Sequence, residues 1–117
     1  MRHRVLIVED DEAVLETMEL MLGKNYEVVK ATNGQEAVKM YKIFRPEVVL
    51  MDIVMPKMDG VEATKEILRI DPKAKIIGVT AYASRRGKEL IEAGAKEIVE
   101  KPFTKSGLIS TVEKYLG

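Results

Sequence analysis

The sequence predicts an α/β domain in which a parallel sheet lies between two layers of helices. Three observations carry that prediction. Five short apolar runs, rich in β-branched residues, alternate with five stretches of helical period. The run Val48 to Met51 lacks the apolar–polar alternation of a sheet with one wet face, so that strand is expected to be buried on both sides. The connections are short, and parallel strands joined this way take right-handed crossovers that place helices on both faces. Pattern alone leaves the strand order open.

Arg4 to Val8 (RVLIV) reads as the first strand, closed by Glu9, Asp10 and Asp11. Asp11 is placed as an N-cap, and Val14, Met18, Met21 and Leu22 recur at helical spacing until Gly23. Tyr26 to Ala31 is a second strand. Asn33 with Glu36 forms a capping-box pattern, followed by Ala37, Tyr41 and Phe44 on one face. Pro46 separates that helix from the central strand, Val48 to Met51, which ends at Asp52. Pro56 and Gly60 shape the loop after it. Val61, Thr64, Ile67 and Leu68 make a third apolar face, stopped by Asp71-Pro72. Lys75 to Thr80 is a fourth strand, and a more polar helix runs from about Ser84 to Ala93. Glu97 to Glu100 is a short fifth strand, broken by Lys101-Pro102-Phe103. Leu108, Val112, Tyr115 and Leu116 face the core from a last helix.

Size and composition narrow the function. The 117 residues suit one domain, and 46 % hydrophobic with 32 % charged residues is a folding composition. Nineteen basic residues balance nineteen acidic ones, so no global field favours nucleic acid or an anionic membrane. With no cysteine there is neither a disulfide framework nor a thiolate metal site. His3 is the only histidine, which removes a His-based triad or an imidazole metal cluster. No apolar run approaches a membrane span and no signal peptide precedes the first strand, so a soluble cytoplasmic domain is expected.

The polar residues at the carboxyl ends of the strands are Glu9 and Asp10, Asp52, Thr80 and Lys101. They fall on one edge of the sheet, where doubly wound folds bind ligands. Carboxylates converging there repel one another and call for a cation. With oxygen donors only, Mg²⁺ is favoured over zinc. Acids, a divalent cation, a lysine and a hydroxyl suit a phosphoryl group. No Walker loop or GxGxxG follows any strand, so nucleotide binding is not indicated. A carboxylate can itself be the nucleophile in phosphoryl transfer, and Asp52 at the middle of the sheet is the candidate. Glu9 and Asp10, as neighbours, are better placed as a metal pair.

LIVEDDE (Leu6 to Glu12), MDIVMPKMDG (Met51 to Gly60), VTA (Val79 to Ala81) and KPF (Lys101 to Phe103) resemble the receiver domain of two-component response regulators. The resemblance spans the whole chain, and four motifs in order make it specific. It implies a flavodoxin-like (βα)₅ fold with a five-stranded parallel sheet in the order 2-1-3-4-5. It implies that Asp52 accepts a phosphoryl group from a phosphohistidine on a sensor histidine kinase. Asp10, Asp52 and the backbone carbonyl of Val54 would ligate Mg²⁺, for which Mn²⁺ can substitute, and Glu9 would act through the ion's water. Lys101 would pair with the phosphoryl group, Thr80 would hydrogen-bond to it, and small Ala81 would leave it room. A cis Lys101–Pro102 peptide is implied as well.

The chain departs from the common pattern where many receivers carry Tyr or Phe three residues before the lysine; here Ile98 stands. Readout is then expected through Thr80, the loop from Ala81 to Ser84 and the fourth helix, with Tyr82 as a substitute. A haloacid-dehalogenase-type phosphatase would need an acid where Val54 stands, and a flavodoxin a phosphate-gripping loop after the first strand. A pseudo-receiver would have lost residues that are intact here. The expectation is a signalling module of one domain, residues 1–117, monomeric when unphosphorylated. It would act on a downstream protein target or a histidine phosphotransfer protein, with no direct nucleic-acid or membrane contact.

Overall fold

The computed structural model describes residues 2–81 and 85–116, with Arg85 through its backbone only. Its elements run β1 (Arg4–Val8), α1 (Glu12–Leu22), β2 (Glu27–Ala31), α2 (Gly34–Phe44), β3 (Val48–Met51), α3 (Gly60–Ile70), β4 (Ile76–Thr80), α4 (Arg85–Ala93), β5 (Glu97–Glu100) and α5 (Lys105–Glu113). The sheet is wholly parallel in the order β2-β1-β3-β4-β5, the flavodoxin-like order that the resemblance implied. No described helix is long and apolar enough to cross a membrane.

Residues alternate across a strand, so each central strand feeds both faces. Leu6, Val8, Val49, Met51 and Ile76 pack with Ala37 and Tyr41 of α2, Ala63 and Ile67 of α3 and Leu90 of α4. Val5, Ile7, Val48, Leu50, Ile77 and Val79 pack on the other face with Leu15, Met18 and Leu22 of α1 and Leu108 and Val112 of α5. All four residues of β3 are fully buried, as the uninterrupted apolar run predicts.

Each well-defined helix start has a side-chain acceptor for its orphan amides. Asp11 caps α1 through Ala13 N and Val14 N, Asn33 caps α2 through Glu36 N, Asp59 caps α3 through Glu62 N and Thr104 caps α5 through Gly107 N. The capping box at α2 is displaced: Glu36 Oε1 accepts from Thr32 N at 2.9 Å, one residue before the cap.

Three expectations are corrected. On α1 the buried stripe is Leu15, Met18 and Leu22, while Val14 and Met21 are only partly buried. Phe44 is 36 % exposed rather than in the core, with the Arg4 guanidinium 5.7 Å from its ring centre. Tyr115 and Leu116 lie beyond the end of α5 and cover the core from the chain that follows it. Boundaries shift by one residue at β2 and β4. Tyr26 donates its backbone N–H to Leu22 O and so belongs to the turn leaving α1. The expected helix start at Ser84 lies outside the described residues.

The ends of α2 and α3 meet at Asp71, which takes a hydrogen bond from Tyr41 and an ion pair from Arg45 at 3.7 Å. Tyr41 O–H donates to Asp71 Oδ2 at 2.6 Å, and Asp71 Oδ1 accepts from Lys73 N at 3.0 Å. The Tyr41 bond holds the Asp71 carboxyl below its usual range, helped by Lys73 N–H and Arg45. A depressed carboxylate adds stability above its unfolded pKa and loses it as pH falls through the folded one. Tyr41→Phe is therefore expected to cost about 1 kcal/mol at neutral pH. The difference should shrink below about pH 3.9, the ordinary aspartate value. Urea midpoints at pH 7 and pH 3 check both parts.

Candidate phosphoacceptor site

The site is built where β1, β3 and β4 end side by side. Glu9 N donates to Ala31 O at 3.0 Å, and Asp52 N donates to Val8 O at 3.0 Å. These ladder bonds carry one residue past the strands and fix both backbones. Lys101, just after β5, is tied in the same way, its N–H donating to Thr80 O at 3.1 Å. The Lys101–Pro102 peptide is cis.

Glu9, Asp10 and Asp52 each offer a carboxylate oxygen, and the three oxygens lie within 4.8 Å of one another. Glu9 and Asp52 are buried, at 2 % and 9 % exposure, while Asp10 is exposed. Lys101 Nζ sits 2.6 Å from Glu9 Oε1 and 3.7 Å from Asp52 Oδ2. Asp52 Oδ1 accepts from Ile53 N at 2.8 Å, and Glu9 Oε2 accepts from Asp11 N at 3.2 Å. Thr80 is buried at the end of β4.

These residues line one cleft of about 270 Å³. Glu9, Asp10, Asp52, Val54, Thr80 and Lys101, the six positions singled out from the sequence, all belong to it, together with Ala81. Val14, read from the sequence as a core residue, lines it too. No polar signal could have assigned Val14 there, because its place follows from the phase of α1. Asp11 is the α1 cap. The Tyr82 expectation, like the loop through Ser84, lies outside the described residues.

Two buried carboxylates this close cannot both keep full charge cheaply. Burial first, then repulsion from and hydrogen bonding with Glu9, pushes Asp52 up to about 7, against the pull of Lys101 and the Ile53 N–H. Lys101 is held above its ordinary value. Burial works against its charge, but the Glu9 hydrogen bond and the charges of Asp52, Glu9 and Asp10 outweigh it. Fully ionised, three carboxylates against one ammonium leave two negative charges in a cleft with oxygen donors. That donor set fits a hard divalent cation.

The description "response regulator receiver domain" matches residues 5–113. The chain belongs to that family. A chemotaxis protein CheY of Thermotoga maritima is 46 % identical over 118 residues, covering 97 % of this chain and 98 % of that protein. Among solved structures, the receiver domain of the sensor histidine kinase PA1611 from Pseudomonas aeruginosa is similar with a TM-score of 0.92. It is 29 % identical, with 98 % of both chains covered, and holds a magnesium ion in its active-site cleft. A CheX-CheY-BeF3-Mg complex from Borrelia burgdorferi matches at a TM-score of 0.88 and 28 % identity, over 96 % of this chain and 87 % of that one. The receiver family is one of signalling modules in two-component systems. Neither the phosphatase nor the flavodoxin reading has support beside it.

Within the receiver fold Ile98 has a defined place. It is paired in register with Gly78. A Cβ on Gly78 would come within 2.4 Å of Leu90 Cδ2 and 2.6 Å of Ile98 Cδ1. The two side chains thus fill the space over β4 between α4 and β5. A β-branched side chain is stiff at χ1, so Ile98 is a fixed spacer.

Proposed function

We propose that this receiver domain, acting as one unit over residues 1–117, is a phosphorylation-operated switch with Asp52 as phosphoacceptor. The observation that carries the reading is the convergence of Asp52, Glu9, Asp10 and Lys101 in one cleft at the carboxyl edge of the sheet. An Asp52 oxygen attacks the phosphorus of a phosphohistidine on a sensor histidine kinase. The P–N bond breaks, the imidazole leaves, and an acyl phosphate forms on Asp52. Water attack on that phosphorus later returns the free carboxylate and inorganic phosphate.

Asp10, Asp52 and the Val54 carbonyl would hold Mg²⁺ or its substitute Mn²⁺, with Glu9 acting through water. The ion supplies positive charge to oxygens that three carboxylates would otherwise repel. Lys101 is the fixed counter-charge: already 3.7 Å from Asp52 Oδ2, it needs only to leave Glu9 to meet the phosphoryl group. Thr80 supplies a hydroxyl donor at the strand end, and Ala81 leaves room beside it. The magnesium-bearing receiver of PA1611 and the CheX-bound CheY of Borrelia burgdorferi support this reading of ion and partner class. The output is a contact with a downstream protein or a histidine phosphotransfer protein in the cytoplasm, from a domain monomeric before phosphorylation. A formal net charge of zero gives no field for DNA.

Incubation with Mg²⁺ and acetyl phosphate, followed by intact-mass measurement, tests the central step. Wild type should gain one base-labile phosphoryl group that Asp52→Asn does not gain. An equal adduct on the mutant, or none on wild type, overturns the assignment. Chelating the ion with EDTA should suppress the wild-type adduct by at least about tenfold, since removing one preorganised charge from such a site costs ~10²-fold or more.

A further inference from the structure

A second cleft, of about 490 Å³, lies between α3 and α4, away from the acidic site. At its edge Arg86, in the first turn of α4, reaches the loop that leaves Asp52. Its Nη2 donates to Asp59 Oδ2 at 3.0 Å. Its Nε lies 2.7 Å from Glu89 Oε2, at an angle that makes this an ion pair without a hydrogen bond. Asp59 is itself fixed, because its other oxygen accepts Glu62 N at 2.9 Å as the cap of α3. Burial opposes the Asp59 charge, but the Glu62 amide and Arg86 outweigh it and keep the carboxyl below its usual range.

The backbone continues this connection inward. Gly60 follows Asp59, and its N–H donates to Ile53 O at 2.8 Å. A Cβ on Gly60 would stand 2.0 Å from Asp52 O, so the two backbones are in direct contact. A displacement of Asp52 is therefore passed to Gly60 and Asp59 with no soft side chain between. From Asp59 it reaches α4 through Arg86. Leu90 also holds α4, fully buried against Gly78 and Ile98, and that apolar contact carries no charge signal.

We infer that the Asp59–Arg86 ion pair is the positioning contact by which the loop leaving Asp52 sets the place of α4. Ile98 is a fixed spacer, so the ion pair gives α4 a connection to the acceptor that needs no moving ring. Neither residue touches the reacting atoms. The inference rests on Asp52 being the phosphoacceptor, and its test separates the two.

The variants are Asp59→Asn, which keeps a capping oxygen and loses the charge, Arg86→Gln, their double mutant and Arg86→Lys. In metal-free protein, amide exchange at Leu90 and Ile91 should rise two- to fivefold in each single neutral variant, the range of a partly exposed ion pair. It should rise no further in the double mutant, and Arg86→Lys should restore most of the protection. Singles that add in the double mutant overturn the coupling. With Mg²⁺ and acetyl phosphate, wild type should show α4 amide resonance shifts that fall by at least half in Asp59→Asn and Arg86→Gln, while the adduct still forms by mass. Full α4 shifts in both variants overturn the inference. Absence of the adduct on wild type overturns the phosphoacceptor reading instead, and the exchange cycle then decides the ion pair alone.

Discussion

Metal-free Asp52→Asn is expected to be more stable than wild type at pH 7 by about 2 kcal/mol. The reason is the position of the carboxylate: 9 % exposed, within 4.8 Å of the Glu9 and Asp10 oxygens, and facing one lysine that is closer to Glu9. Asp52 rises from 3.8 to about 7 in the folded chain. At about 1.4 kcal/mol per unit, that bounds the effect near 4 kcal/mol, and the opening of the cleft to solvent lowers it. The sign follows from proton counts. Between these two values the native state binds more protons than the unfolded chain, so wild-type stability falls as pH rises. Asparagine has no such dependence. The mutant's advantage should therefore be smallest below about pH 4, grow through pH 7 and level off above it. Urea midpoints in EDTA across this range measure it, and a constant difference would refute the account. Mg²⁺ should stabilise wild type more than the mutant, because an ion that binds only the native state adds its binding free energy to folding.

The backbone keeps that repulsion in place. The strand ends that carry Glu9 and Asp52 are buried and pinned by ladder bonds, which hold the two backbones in place. Under the proposed function, a cation and a phosphoryl group would relieve that repulsion; removing the acid relieves it without them.

Much of this arrangement can be read from the chain. Parallel strands buried on both faces need unbroken apolar runs, so β1, β3 and β4 announce themselves. In a parallel sheet all carboxyl ends share one edge, so Glu9, Asp10, Asp52, Thr80 and Lys101 must gather there once the strands are placed. What stays hidden is set by phase and by distant pairing. Val14-Leu15 and Met21-Leu22 are adjacent apolar pairs, and periodicity cannot choose between stripes one residue apart; packing chose Leu15. Lys101 can pair with either acid, and the choice of Glu9 over Asp52 depends on side-chain reach across β1 and β3. The Asp59–Arg86 pair goes unmarked in the sequence because nothing local links two groups 27 residues apart. Phe44 continues a helical stripe, but at the last residue of α2 its ring is partly exposed and covered by the Arg4 guanidinium.

Gly60→Ala is expected to be the most damaging single methyl that can be added to the loop. The new Cβ would stand 2.0 Å from Asp52 O, 2.9 Å from Asp52 C and 2.9 Å from Ile53 Cα. All three are backbone atoms, so no rotamer change can make room. Either α3 moves outward as a unit or the β3 end bends. The first loses the Gly60 N–H bond to Ile53 O, and the second displaces the acceptor. Overpacking against rigid atoms costs about 3 kcal/mol or more, a large share of a small domain's stability. A fold that survives should carry Asp52 out of line with Lys101. Misplacement on the scale of about 1 Å lowers reaction rates ~10²-fold. The expected outcome is a urea midpoint well below wild type and phosphorylation by acetyl phosphate at least about tenfold slower in the folded fraction. Asp59→Asn, one residue earlier in the same loop, keeps the helix cap and adds no volume, so it should retain most of the stability. A Gly60→Ala protein with wild-type midpoint and wild-type rate would show that the loop is not clamped against Asp52. The methyl thus separates two meanings of contact at this site: a charge pair at Asp59 that tunes α4, and a backbone fit at Gly60 that acts with the Asp52 N–H bond to Val8 O to set where Asp52 stands.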